Sequence, residues 1–212
     1  NPKTRKYFGF CTAVQPAITI YRKSLWDSVG ATPGDWEEVR RSGRRIKLLH
    51  KKPVGISLGP EHNAEHTMRA ILSSYGGSVQ DAEGNIALAS PATVEAVKFV
   101  KALYQEAMPP EVTGWNPTSN NTMMLTGECS MTIDTMSITR AGEANKLDVA
   151  KDLWIAAVPK GPAGRFSPPF GLHIYFIWKF AKNAELAKQF LIDYIGASRG
   201  ALTASGFQNL PI

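Results

Sequence analysis

Hydrophobic and polar positions alternate along this chain in blocks that predict strands and helices in turn. The clearest block is residues 172–178, a nearly continuous apolar run rich in β-formers, which predicts a strand covered on both faces. Asn183 follows as a good helix N-cap, and Leu186, Phe190 and Tyr194 then recur at i, i+4 and i+8. This spacing predicts a helix whose apolar stripe lies on one face.

The N-terminal part of the chain shows the same alternation. Residues 13–21 form an apolar, strand-like run, and residues 22–29 have the pattern of a short helix. Asp35, with Glu38 three residues later, has the spacing of a capping box and predicts the start of a second helix. We expect Gly43 to weaken or end that helix, because glycine disfavours a helix interior.

The middle of the chain has equally clear boundaries. Residues 53–58 predict a buried strand, and residues 64–74 predict a helix. Ser90 and Pro91 supply an N-cap and an N1 proline for the next helix. The apolar stripe of that helix is expected at Val94, Val97, either Val100 or Lys101, and Tyr104.

Two more strand-like segments, residues 129–133 and 153–158, complete an alternation of strands and helices that indicates the α/β class. At 212 residues, the chain can form one domain or two small ones. No apolar run approaches the length of a membrane span, and the polar, basic residues 1–6 do not resemble a signal peptide. The chain is therefore cytoplasmic, a mature exported form, or part of a longer sequence.

The formal net charge of +6 is modest but locally concentrated. A nucleic-acid-binding or other basic interaction surface is one interpretation of this cluster, and a solvated helix face is the other. We favour the solvated face, because no RNA- or DNA-binding motif accompanies the cluster. Its members are Arg40, Arg41, Arg44, Arg45, Lys47, Lys51 and Lys52.

The two cysteines, Cys11 and Cys129, both lie in apolar, strand-like surroundings. We expect two buried thiols in preference to a disulfide, although an exported protein would permit one.

One pattern could carry catalytic chemistry. His62, Glu65 and His66 fit His-x-x-Glu-His, in which two imidazoles one helical turn apart bind zinc and a glutamate polarises water. Three fixed positions are a weak signal for a zinc site, and no motif indicates a third zinc ligand. The alternative explanation of these residues is a polar helix start that faces a cleft. A nucleophile elbow, a phosphate-binding loop and a dinucleotide fingerprint are absent from the sequence.

Polar-ligand binding has better candidates. Carbohydrate sites need flat aromatic faces and amide or carboxylate groups, and Trp115 lies in a loop with Asn116, Asn120 and Asn121. Lobe packing is an equally good explanation for Trp115. Gly171 and His173 enter the strand at residues 172–178, where a half-buried structural histidine is again the alternative.

Several motifs occur in an order that resembles extracellular solute-binding proteins of sugar ABC transporters, the maltose-binding-like class. Residues 13–23 resemble the first hinge crossing of that class, and Gly30, Pro33 and Asp35-Trp36-Glu37-Glu38 follow in register. The sequence Gly-Glu-Cys-Ser-Met-Thr-Ile before Asp134 resembles a further family segment. The Pro-x-Gly-Pro loop at residues 159–162 and the helix after Asn183 match the family's second hinge.

The resemblance implies a two-lobed, periplasmic-binding-protein-like α/β fold, represented here mainly by its second lobe with part of the first. Residues 1–17 would be the first hinge region and 18–170 the second lobe, which holds one ligand-binding wall. Residues 171–178 would be the second hinge strand, and residues 179–212 a partial return into the first lobe. Most of the first lobe is expected to be missing from this sequence.

The resemblance further implies a non-enzymatic subunit of an ABC importer that binds a sugar or polyol between two lobes and delivers it to membrane permease subunits. No cofactor, metal or nucleic acid is expected, and the location would be periplasmic or extracellular. Ser137 stands where family members often have a stacking tryptophan, which leaves Met136 or Trp115 as substitutes. The candidate ligand-binding residues are Gln15, His62, Asn63, Trp115, Asn116, Asn120, Met136, Ser137, Gly171, Leu172 and His173. A zinc-dependent hydrolase using residues 62–66 is the alternative function.

Overall fold

The computed structural model describes residue 5, residues 7–197, residue 200 and residues 210–211. The strands are β1 Phe10–Pro16, β2 Ile18–Arg22, β3 Met131–Asp134, β4 Leu153–Ala156, β5 Pro169–Tyr175 and β6 Leu210–Pro211. The helices are α1 Lys23–Asp27, α2 Trp36–His50, α3 His62–Ser74, α4 Pro91–Ala107, α5 Ser119–Leu125, α6 Ser137–Ala144 and α7 Ala184–Gly196. Short 3₁₀ turns occur at Pro110–Gly114 and Asp148–Asp152. None of the helices in this described part is long and apolar enough to cross a membrane.

The chain divides into two compact units. Unit 1 consists of Asn1–Pro16 together with Pro169–Ile212, and unit 2 is Ala17–Pro168. Each unit contains a three-stranded sheet, with the order β5-β1-β6 in unit 1 and β3-β2-β4 in unit 2. The strand pairs within both sheets are antiparallel.

The core of unit 2 is built around its central strand β2. Ile20 pairs with Thr132 of β3 on one side and with Ile155 of β4 on the other, and its side chain is fully buried. Residues 53–58, predicted as a strand, are extended and largely buried, but they join the sheet only through an isolated parallel bridge between Val54 and Met131. The prediction of burial is therefore confirmed, and the prediction of a regular strand is wrong.

Helix α2 begins where the capping pattern predicts. The Asp35 carboxylate accepts a hydrogen bond from the Glu38 amide at 2.8 Å, which satisfies one of the unpaired amides of the first turn. The helix continues through Gly43 to His50, so of the two expectations for Gly43, that it weakens the helix or that it ends it, the second is wrong. Gly43 is buried, and an added Cβ there would lie 2.6 Å from Val54 Cγ2, so glycine permits close packing at this point.

Helix α4 also begins as predicted but buries a different face. Ser90 accepts a hydrogen bond from the Thr93 amide at 3.2 Å, and a proline occupies the first turn. Val94 and Val97 are 51% and 54% exposed, so the predicted stripe is wrong there. The buried stripe consists of Ala96, Phe99, Val100, Leu103 and Ala107. Both sets have helical spacing, and packing against the rest of unit 2 decides which face is covered.

The basic cluster is used within the fold. Arg40 forms ion pairs with Glu37 and Glu106, and Lys52 with Glu128. The remaining contacts of the cluster include Arg41 with Glu38, Arg45 with the Val29 carbonyl and Lys47 with the Met108 carbonyl. These contacts agree with a solvated helix face that is tied to neighbouring elements.

The strand predicted at residues 172–178 and the helix predicted after Asn183 both lie in unit 1. The limits of the strand differ from the prediction. Strand β5 runs over Pro169–Tyr175, three residues earlier than predicted, and α7 follows at Ala184–Gly196. Asn183 occupies the N-cap position of α7, but its side chain makes no capping hydrogen bond. None of the described side chains in unit 1 is buried, which leaves the predicted stripe of α7 exposed.

Both cysteines are thiols, as expected. Cys129 is fully buried, and burial raises the pKa of its thiol to about 12. Cys11 is half-buried rather than buried. A fully buried thiol with a raised pKa is protonated at neutral pH and is a poor nucleophile.

Candidate functional site

The first turn of α3 lines a cavity in unit 2. The Glu61 carboxylate caps the helix by accepting hydrogen bonds from the amides of Asn63 at 2.8 Å and Ala64 at 2.7 Å. His62, the first residue of α3, is exposed. The cavity has a volume of about 710 Å³ and is lined by Leu58, Gly59, Pro60, Glu61, His62, Ala64, Glu65, Met68 and Val100.

His62 and His66 lie one helical turn apart and are in contact. Their Nε2 atoms are 3.0 Å apart, and their rings meet edge to face with centroids at 4.2 Å. Burial and the neighbouring His62 lower the pKa of His66. Within the described residues, no group of three histidine, cysteine, aspartate or glutamate side chains is arranged to hold a metal ion. The third ligand that a zinc hydrolase requires is therefore not found beside this pair in the residues that the structure describes.

Behind the rim lies a buried chain of polar side chains. Asn63 Nδ2 donates to Asn120 Oδ1 at 3.1 Å, and Asn120 Nδ2 donates to Asp134 Oδ2 at 2.6 Å. Asp134 Oδ1 accepts from the Thr135 amide at 2.6 Å. Burial raises the pKa of Asp134, and the hydrogen bonds from Thr135 and Asn120 oppose that rise. This chain joins the start of α3 to α5 and to the end of β3.

The predicted residues Asn63 and Asn120 thus belong to the support of the rim. Asn63 is 7% exposed and Asn120 is 1% exposed, so most of their polar atoms face protein. Asp134, which joins them, was not among the predicted site residues. The sequence could have indicated Asp134 as a site residue, because it is a single carboxylate directly after the apolar residues of a short strand.

Trp115 is 8% exposed. An added Cβ at Gly55 would meet its Cη2 atom at 3.4 Å, which places the indole against the backbone of a buried segment. This environment favours the packing role over the stacking role for Trp115. The neighbouring Asn116 is exposed, and its Oδ1 accepts from the Thr118 amide at 2.9 Å, which is the contact of a side-chain-stabilised turn.

Met136 and Ser137 lie at the start of α6, where both are half-buried. The Ser137 hydroxyl accepts a hydrogen bond from Thr135 Oγ1 at 3.1 Å. Through Thr135 these two residues adjoin the Asp134 carboxylate. They remain candidates on the strength of the sequence.

The other four candidates lie in unit 1. Gln15 of β1 pairs with Gly171 of β5, and His173 pairs with Ala13. Gln15 and His173 therefore project from the same face of the sheet at diagonal positions. An added Cβ at Gly171 would lie 2.7 Å from Gln15 Oε1, so glycine leaves room for that amide. Leu172 is 53% exposed and points to the opposite face of the strand.

The fold matches solved solute-binding proteins over nearly its whole length. A sugar transporter protein from Arthrobacter chlorophenolicus with bound laminaribiose superposes with a TM-score of 0.85 at 20% identity, covering 99% of this chain and 53% of that one. An ABC transporter solute-binding protein from Agrobacterium vitis with bound D-mannitol gives a TM-score of 0.75 at 20% identity, covering 97% and 52%. These likenesses show that the chain has the fold of about half of a two-lobed periplasmic binding protein.

Sequence comparison agrees. A Brucella abortus protein named as a binding protein is 26% identical over 196 residues, which are 90% of this chain and 46% of that protein. The chain thus spans about half the length of the curated relatives it matches. The family described as bacterial extracellular solute-binding protein matches residues 4–196. The chain belongs to the bacterial extracellular solute-binding protein family.

Proposed function

We propose that this chain is part of the substrate-binding component of an ABC importer and binds a sugar or polyol without chemical change. The match of residues 4–196 to the extracellular solute-binding family is the observation that carries this proposal. The solved neighbours with bound laminaribiose and D-mannitol support the choice of a carbohydrate or polyol as ligand class.

The cavity at the start of α3 has the chemistry that such a ligand needs. Glu61, His62 and Glu65 supply polar groups, while Leu58, Met68 and Val100 supply apolar ones. A sugar or polyol presents hydroxyl groups on some faces and C–H groups on others. A site with a few placed polar groups among apolar side chains suits both kinds of surface. We assign His62 as a direct hydrogen-bonding partner of the solute.

The buried chain of Asn63, Asn120 and Asp134 supports this role indirectly. It connects three separate segments of unit 2 through hydrogen bonds of 3.1 and 2.6 Å. A rim held from behind by such contacts keeps its polar groups in position before the ligand arrives. Preorganisation of this kind lowers the entropic cost of binding.

The proposal includes location and partners. The family is one of extracellular proteins, so we place this protein in the periplasm or outside the cell. Its macromolecular partners would be the membrane permease subunits of the importer, as the Agrobacterium vitis relative is an ABC transporter protein. Residues 18–170 would form the second lobe, residues 1–17 the first hinge region and residues 171–178 the second hinge segment.

Calorimetry and thermal shift on the protein in its full encoded length test the proposal. The probes are maltose, laminaribiose, D-mannitol and D-tagatose, with EDTA present so that metal does not contribute. We expect at least one probe to bind and to raise the melting temperature, because ligand at about 100 times Kd adds about 2.7 kcal/mol of stability. The solute recovered afterwards should be chemically unchanged.

A matched pair of histidine variants locates the site. His62→Ala should weaken binding of the active probe about tenfold or more, equivalent to about 1.4 kcal/mol. His50 lies in α2, contacts Ser28 and does not line the cavity. The His50→Ala variant should therefore bind the active probe with the affinity of the wild type. Absence of binding by every probe, or conversion of a bound probe to product, would contradict the proposed function.

A further inference from the structure

We propose that His62 and His66 form a two-point chelate for a divalent ion of the copper and nickel class. The proposal does not require a bound solute and involves no catalytic step, although it shares His62 with the proposed solute site. It concerns the first turns of α3, where the two imidazoles lie on one face of the helix.

The separation of the two ring nitrogens selects the kind of ion. Metal–imidazole bonds are about 2.0–2.1 Å long. With Nε2 atoms 3.0 Å apart, an ion bonded to both would subtend an N–metal–N angle of about 94° at that bond length. Square-planar and octahedral ions require angles near 90°, whereas a tetrahedral ion would need the nitrogens about 3.3–3.4 Å apart. The observed spacing therefore suits Cu²⁺ or Ni²⁺ better than Zn²⁺.

The surroundings permit a cation at this position. His62 is exposed, which gives an ion access from solvent. The positive end of the α3 dipole disfavours a cation there, but Glu61 and Glu65 each directly precede one of the two histidines in the sequence. Glu61 is engaged with two helix amides and Glu65 with Arg69, so both carboxylates are held close to the first turn.

Only the unprotonated nitrogen of an imidazole has a lone pair to donate to a metal, so the pair would bind an ion as neutral rings. Because no third protein ligand is grouped with the pair in the described part of the chain, water would fill the remaining coordination positions.

Calorimetric titration with CuSO₄, NiCl₂ and ZnCl₂ tests the chelate on full-length, tag-free protein first stripped with EDTA. We expect a one-to-one complex with affinity in the order Cu²⁺, Ni²⁺, Zn²⁺. The electron paramagnetic resonance spectrum of the copper complex should show two equatorial nitrogen donors. His62→Ala and His66→Ala should each weaken Cu²⁺ binding at least tenfold, since each leaves one imidazole.

His50→Ala is the matched control, because it removes a histidine elsewhere in unit 2 and should leave the copper affinity unchanged. Circular dichroism of all three variants checks that the fold is retained. Three results would overturn the proposal: no stoichiometric copper complex, equal copper affinity in wild type and His66→Ala, or an equal loss in His50→Ala. If no stoichiometric copper complex forms, the contact between the His62 and His66 rings is a hydrogen bond and not a metal site.

Discussion

At the scale of single residues, the Asp134 carboxylate is buried and depends on the Asn120 amide for one of its hydrogen bonds. Asp134 is 4% exposed, and burial raises its pKa above the ordinary value. A raised pKa means that this group favours the folded state at low pH and that this contribution is lost as the pH rises through the folded pKa. The donor at 2.6 Å offsets part of that loss.

Asn120→Ala removes this donor and also the acceptor that Asn63 uses. We expect the free energy of unfolding to fall by about 1–3 kcal/mol, since buried polar groups are left unsatisfied. The loss should be larger at pH 7 than at pH 4, because removing the donor raises the pKa of Asp134 further, and a raised carboxyl pKa costs more stability as the pH rises. Urea denaturation at the two pH values measures both quantities.

Asn145→Ala provides the control for this prediction. Asn145 is exposed at the end of α6 and donates to the Ala141 carbonyl. Its replacement should change stability by about 0.5 kcal/mol or less at either pH. An equal loss at pH 4 and pH 7 in Asn120→Ala would show that Asn120 does not stabilise the charged form of Asp134.

Residue types alone allowed only part of the candidate site to be predicted. The start of α3 was recognisable, because a polar run between an apolar segment and a helical pattern marks a rim. The burial of Trp115 could not be predicted, because its contact with Gly55 joins segments that are far apart in sequence. The same is true of Asn120, whose partners Asn63 and Asp134 become neighbours only after folding.

At the scale of elements, the path of α2 through Gly43 shows how packing overrides helix propensity. Gly43→Ala should gain about 1 kcal/mol of helix propensity. The new Cβ would lie 2.6 Å from Val54 Cγ2 and 3.4 Å from the Ala107 Cβ, and overpacking of this kind costs about 1–3 kcal/mol. We expect net destabilisation, measured as a lower midpoint of chemical denaturation.

Val54 offers a direct test of the cause. Val54→Ala alone should destabilise the protein by creating a cavity. If the Val54 methyl group is what resists the new Cβ, the double variant should lose less stability than the sum of the two single variants. Simple additivity would show that the cost of Gly43→Ala arises elsewhere.

The beginnings of elements were more predictable than their buried faces. Asp35 and Ser90 cap α2 and α4 as their local sequence indicates, because capping needs only residues within one turn. The buried face of α4 was not predictable, since Val94 and Ala96 both belong to stripes with helical spacing. Which stripe is covered depends on the position of the neighbouring α2 and α3, and local periodicity does not contain that information.

At the scale of the whole molecule, family order was the strongest sequence signal. The spacing of the hinge-like segment, the Asp35-Trp36 helix start and the segment after Asn183 predicted a two-lobed fold that the solved neighbours share. Strand limits were less accurate, as β5 ends at Tyr175 rather than at Trp178. Aromatic and branched residues continue past Tyr175, where the hydrogen-bonded pairing of β5 with β1 ends. Composition alone therefore does not mark the end of the strand.

The two units differ in how much apolar surface they bury. The buried hydrophobic side chains of the described residues all lie between Ala17 and Val158, within unit 2. In unit 1, Leu186 and Phe190 of α7 are 69% and 63% exposed, and an apolar cavity of about 450 Å³ lies beside Ile177 and Leu191. Burying a large apolar side chain contributes about 1.5–3 kcal/mol, so α7 gains little of this stabilisation.

Hydrogen exchange on the 212-residue chain should therefore show low protection in α7 and high protection in unit 2. The amides of Phe190 and Leu191 should exchange at least about a hundredfold faster than those of Val100 and Ile133, because two exposed apolar side chains forfeit about 3 kcal/mol or more. Val100 lies in a helix of similar kind but is 9% exposed, and Ile133 is 2% exposed, so the comparison isolates burial. Equal protection of Phe190 and Val100 would show that α7 has a complete partner surface, and that the exposed stripe does not determine its stability.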